Sequence, residues 1–108
     1  MKLTTLIAAL AISSGAAVAQ QLDVEFEIVE DDQAAGCLGA EVMGLNPKGD
    51  GFLSVRSGPG ANYRKIDELY NGDTVRPCAS EGAWWGIYYG QPRRTGWVHG
   101  NWLGNWAG

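Results

Sequence analysis

Cys37, Cys78, His99 and a few serines carry the most reactive side chains of this 108-residue protein. A catalytic centre needs a nucleophile or a metal, a base, and a group that orients them. His99 is the single histidine, so no pair of histidines can hold a metal within one molecule. Two cysteines and one histidine do not have the spacing of a zinc ligand set. Ser54, Ser57 and Ser80 stand in no nucleophile-elbow motif. Asp67 and Glu68 are adjacent, so on a strand they point to opposite faces and make a poor glycosidase pair. The expectation is a protein that is not an enzyme and has no cofactor and no metal.

Binding is the better-supported chemistry. Five Trp and four Tyr are present, more than a small domain can bury. Rigid aromatics left at a surface recognise peptides and sugars. The candidate groove comprises Tyr63, Trp84, Tyr88, Trp97 and Trp102, with Arg56 placed to meet a ligand carboxylate. Each aromatic has an alternative role in filling a thin core. Arg56 has the alternative of pairing with Asp50 or Asp67 at the surface. Arg93 and Arg94 read as a solvated turn.

Short strands must position these residues. Sixteen glycines and four prolines break the sequence into runs at 37–45, 52–56, 63–70, 74–78, 84–89 and 95–98, with a closing tail at 101–103. Leu53 and Val55 share one face of their run by period two. Trp85, Ile87 and Tyr89 share one face of theirs, and Trp84 and Tyr88 share the other. Asn71-Gly72 is a tight-turn signal. No run has a convincing helical period. Strands at this spacing predict an all-β fold, a sandwich or a barrel of about five to seven short strands.

The N-terminus sets the compartment. Met1-Lys2, the apolar run 6–12 and Ala17-Val18-Ala19 form the three parts of a secretory signal peptide, cut after Ala19. An uncleaved anchor or a buried helix is the alternative, but a membrane span needs about 20 mostly apolar residues. The expected organisation is a signal peptide at 1–19, an acidic leader at 20–35 and one domain at 36–108. No second apolar run follows, so no membrane insertion is expected after cleavage. The leader holds Asp23, Glu25, Glu27, Glu30, Asp31 and Asp32 and no base. It reads either as a flexible leader or as an edge strand with its charges outward. The net charge of −4 shows no basic footprint for nucleic acid. In an exported protein, Cys37 and Cys78 are expected to form a disulfide, with two separate buried thiols as the alternative.

Leu53-Ser54-Val55-Arg56-Ser57-Gly58-Pro59-Gly60 closely resembles the signature of bacterial SH3-type domains. Asn62-Tyr63, Ile66, Leu69, the Asn71-Gly72-Asp73 turn, Val75, Trp84, Ile87, Gly96-Trp97-Val98 and Leu103 follow at the spacing of that family, so the resemblance covers about 36–103. It implies a small SH3-like barrel. Gly58 and Gly60 are expected to supply positive φ around Pro59, and Ile87 and Val98 to point inward. The two cysteines, the turn at 91–94 and the acidic leader depart from the family pattern.

What the resemblance implies for function is a non-catalytic exported module, periplasmic or extracellular, that recognises cell-wall peptide or an envelope protein segment. The alternative is a structural or accessory envelope protein whose acidic leader engages a partner. Oligomeric state is not legible.

Overall fold

Seven strands follow one another: β1 (Gly39–Val42), β2 (Leu53–Arg56), β3 (Lys65–Leu69), β4 (Thr74–Glu81), β5 (Trp84–Tyr89), β6 (Arg94–His99) and β7 (Leu103–Ala107). They come from a computed structural model that describes residues 21–26 and 37–108. The signal peptide read at 1–19, its cleavage point and leader positions 27–35 lie outside the described residues. One short 3-10 turn, Gly100–Trp102, separates β6 from β7.

Every pairing is antiparallel, and the order across the sheet is β3-β2-β6-β5-β4-β1-β7. β3 and β7 end the order, so the small SH3-like sheet does not close into a barrel. It nevertheless encloses one core. Val42, Val55, Leu69, Val75, Ile87, Val98 and Leu103, one from each strand, belong to a single buried cluster. A flat sheet would hold Leu69 of β3 and Leu103 of β7 far apart, so the sheet must wrap. Val42, Val55, Ile87 and Val98 are wholly shielded from solvent, each contributing roughly 1.5–3 kcal/mol of apolar burial.

Where the element bounds differ from the sequence reading, local chemistry explains it. β1 stops at Val42, before Gly44 turns to φ 86°. β4 continues to Glu81 through a register shift between Pro77 and Ala79. Pro77 has no N–H to give the ladder, which is where such irregularities belong. Asn71 does more than turn the backbone. Its Oδ1 accepts from the Leu45 N–H at 3.0 Å, and its Nδ2 donates to the Leu45 carbonyl at 3.1 Å. One side chain thereby pairs both backbone groups of Leu45, as a strand neighbour would.

Cys37 and Cys78 are joined in a disulfide. Next to it, the Leu38 N–H donates to the Pro77 carbonyl at 2.8 Å. The bond therefore pins the segment entering β1 to the irregular stretch of β4.

The expected positive φ at Gly58 and Gly60 is not found. These glycines serve close approach instead. A Cβ on Gly58 would stand 2.5 Å from the ring of Tyr63, and one on Gly60 would stand 2.7 Å from the Asn62 side chain. The loop is thus closed by an aromatic ring laid on its backbone.

Residues 21–26 rest on the domain. Their burial alternates: Leu22, Val24 and Phe26 are half-buried, while Gln21, Asp23 and Glu25 are exposed. That is the strand period seen in the sequence, yet no strand forms. The N–H groups of Asp23 and Val24 both donate to the Ser57 carbonyl, at 2.9 and 3.1 Å. These residues cross the face of the sheet rather than extending its edge.

Candidate ligand-binding site

The pleat of β5 and β6 sorts the aromatics. On the inner face, Trp85 is opposite Val98 and Ile87 opposite Gly96; on the outer face, Trp84 is opposite His99, Gly86 opposite Trp97, and Tyr88 opposite Thr95. Arg56 of β2 is the partner of Trp97 in turn. The outer face therefore carries four of the six expected groove residues, Arg56, Trp84, Tyr88 and Trp97. It does not use them together.

Arg56, Trp84 and Trp102 line one cleft of about 330 Å³, with Asp50, Phe52 and His99. Arg56 is held in place by Nη1, which donates to the Tyr63 carbonyl at 2.9 Å. Trp84 meets His99 edge-on, with centroids 5.3 Å apart and planes at 77°. His99 Nδ1 accepts from the Asn101 N–H at 3.1 Å, so the neutral ring carries its hydrogen on Nε2. That bond starts the 3-10 turn that carries Trp102, which is 38% exposed. Lys65 lies over the Phe52 ring at 4.1 Å. The cleft thus has aromatic walls, a guanidinium and a carboxylate, a few polar groups set in apolar surface.

Tyr88 and Trp97 lie under Phe26. Phe26 meets Trp97 edge-on at 5.3 Å and 75°, and Tyr88 at 5.9 Å and 40°. Trp97 is only 3% exposed and its Nε1–H donates to the Val24 carbonyl at 2.8 Å. Arg93 stacks on Tyr88 at 4.2 Å. Tyr63 is drawn away from both places, onto the loop glycines. A larger hollow of about 800 Å³ runs along β1 and β4 and reaches Tyr88 and Arg93. Its wall carries Glu41, Arg76, Tyr88 and Arg93, but of the six expected groove residues it holds Tyr88 alone, whereas the smaller cleft gathers three.

Arg94 and Asp67 are structural. Asp67 Oδ2 accepts from the Tyr89 hydroxyl at 2.8 Å and from Arg94 Nη1 at 2.9 Å. Burial, then the hydrogen bond to Asp67, hold the Tyr89 phenol well above its ordinary range. Asp67 and Glu68 part to opposite sides as expected. Glu68 bonds Lys65 and accepts from the Tyr70 hydroxyl at 2.8 Å. These bonds, that of Lys65 first, lower the Glu68 carboxyl, and the bond to Glu68 raises Tyr70. Among the described residues no three of His, Cys, Asp or Glu gather to hold a metal.

Three contributors escaped the sequence reading. Phe52 begins its run with the parity of Arg56, and His99 lies one residue beyond the run 95–98 with the parity of Trp97, yet neither was placed in the groove. Phe26 carried a usable signal, the inward row Leu22, Val24 and Phe26, together with the gap that Gly86 leaves between Trp84 and Tyr88.

A family model described as Bacterial SH3 domain matches residues 51–104, half of the sequence. No curated protein and no solved structure matches it.

Proposed function

The chain belongs to the bacterial SH3 domain family, and from that premise we propose that it is an exported, non-catalytic binding module. Its ligand is cell-wall peptide or an envelope protein segment, taken in the cleft between Arg56, Trp84 and Trp102. The observation that carries this reading is the meeting of those three side chains around one cleft. Aromatic walls bury the apolar part of a peptide, Arg56 matches a carboxylate in bidentate fashion, and Asp50 suits an amine. Cell-wall peptides offer both charges. The Cys37–Cys78 bond supports the export, since such bonds persist in oxidising compartments.

The test is co-sedimentation of the protein with purified cell-wall sacculi. Trp102→Ala is the cleanest variant because Trp102 is well exposed and its loss spares the core. Binding by the unmodified protein, weakened at least about tenfold in Trp102→Ala and in Trp84→Ala, is expected for hot-spot aromatics. Absence of binding by the folded protein would remove the cell-wall ligand. The reading in which the acidic leader engages a separate partner has less support, because residues 21–26 are taken up by the protein's own sheet.

A further inference from the structure

Phe26 fills a notch in the outer face of the sheet. The notch exists because Gly86 has no side chain: a Cβ there would lie 2.6 Å from Phe26 Cδ1. Trp97 and Tyr88 form its walls. The rest of the segment is held as a bound peptide would be held. Trp97 Nε1–H donates to a backbone carbonyl, that of Val24, at 2.8 Å. The Ser57 carbonyl accepts two backbone N–H groups. Three positions before Phe26, the Asp23 carboxylate accepts from the Ser57 hydroxyl at 2.5 Å and faces Arg64 Nε at 3.7 Å. Arg64 also donates to the Gln21 carbonyl at 2.5 Å.

Receptor and occupant divide cleanly along the sequence. Ser57, Arg64, Gly86, Tyr88 and Trp97 all lie within the matched region 51–104, and residues 21–26, which cover them, lie outside it. The segment forms no strand of the sheet, and ten residues separate Phe26 from Cys37.

We propose that this face is a docking site for an extended protein segment with a carboxylate three residues ahead of an aromatic, and that residues 21–26 fill it in cis until such a partner competes. The chemistry selects a peptide rather than a glycan. Trp97 Nε1–H and the Ser57 carbonyl match the backbone C=O and N–H groups of a peptide, and Arg64 with the Ser57 hydroxyl selects a carboxylate. The notch selects a flat ring. The face is separate from the cleft at Arg56 and Trp84, and the assay below contains no cell-wall material, so the two readings stand or fall apart.

A cis segment on a short connection presents itself at an effective concentration on the order of millimolar. A free peptide of micromolar intrinsic affinity therefore meets a penalty of roughly a thousandfold on the unmodified protein. The probe is the capped hexapeptide Gln-Leu-Asp-Val-Glu-Phe, titrated into the full-length protein and into its Asp23→Ala/Phe26→Ala variant. The Trp97 indole N–H resonance should move in the variant and return as peptide is added. The variant should bind at least about tenfold more tightly than the unmodified protein, and a peptide with Ala in place of its Phe should lose that binding. A folded variant that ignores the peptide, or binds it no better than the unmodified protein does, overturns the proposal. If the variant does not fold, the unmodified protein decides. Excess unlabelled peptide at millimolar level should release the protein's own segment and move its Val24 amide resonance toward that of a free chain, and an unmoved Val24 resonance overturns the proposal.

Discussion

Val55 fills the space that a side chain on Gly96 would need: a Cβ built there would stand 2.2 Å from Val55 Cγ1. The glycine of Gly96-Trp97-Val98 is therefore required by packing across β2 and β6, not by a turn. Gly96→Ala forces Val55 or the β6 backbone to shift. The expected loss is about 1–3 kcal/mol, the usual range for overpacking. Thermal unfolding followed by circular dichroism should show a midpoint lower by roughly 5–20 °C for a domain of this size. An unchanged midpoint would contradict the packing argument.

The disulfide closes a loop across a sequence separation of 41. Loop-closure entropy puts its worth at roughly 4 kcal/mol, against a total of about 5–15 kcal/mol for a typical domain. Cys37→Ser/Cys78→Ser should lower the urea midpoint and steepen the transition, because the unfolded chain without its cross-link exposes more surface. Mild reductant should reproduce the effect in the unmodified protein. Equal midpoints with and without reductant would show that the bond contributes little.

Tyr89 sets an alkaline limit on stability. Its phenol is raised in the folded state by burial and by Asp67. Below the unfolded value of about 10 both states keep the proton and the stabilisation is complete. Above it the unfolded state loses the proton first, so stability falls as pH rises. Tyr70 is raised as well, through Glu68, and adds to the same trend. Tyr89→Phe should cost about 1 kcal/mol at neutral pH through the lost hydrogen bond. It should also flatten the fall above about pH 10. Urea midpoints for both proteins at neutral and alkaline pH provide the check, and parallel curves would be the contrary result.

Asn71 is the simplest place to test a side chain acting as a strand neighbour. Asn71→Ala removes both bonds to Leu45 and is expected to cost about 1–2 kcal/mol. Asn71→Asp keeps an acceptor for the Leu45 N–H and loses the donor, so its midpoint should fall between the two. Leu45 lines the cleft, so the alanine variant should also weaken any ligand held there. A stability equal to that of the unmodified protein would show that the paired bonds are replaced by water without loss.

The strands were legible because period two and glycine punctuation both act over a few residues. The reading of 84–89 matches β5 residue for residue, and Ile87 and Val98 point inward as the family resemblance implied. The role of Gly58 was not legible, since nothing local says that Tyr63 folds back onto it. The site was legible only as a set of residue types. Arg56, Trp84 and Trp102 do meet, but Trp97 is screened by a residue 71 positions away in the sequence, Phe26. Alternation in the leader announced an inward face. It could not say which surface that face would meet, because the partner is assembled from β2, β5 and β6 at long range.

The open order of the sheet leaves β3 and β7 as its two outer strands. Each is a template on which another molecule's strand could grow. β3 presents Lys65, Asp67 and Glu68 along its five residues, and such charges oppose the addition of a further strand. β7 is interrupted by Asn105 at φ 51°, which breaks the straight run a partner strand would need. Both ends of the open sheet thus carry features that discourage pairing with a further strand.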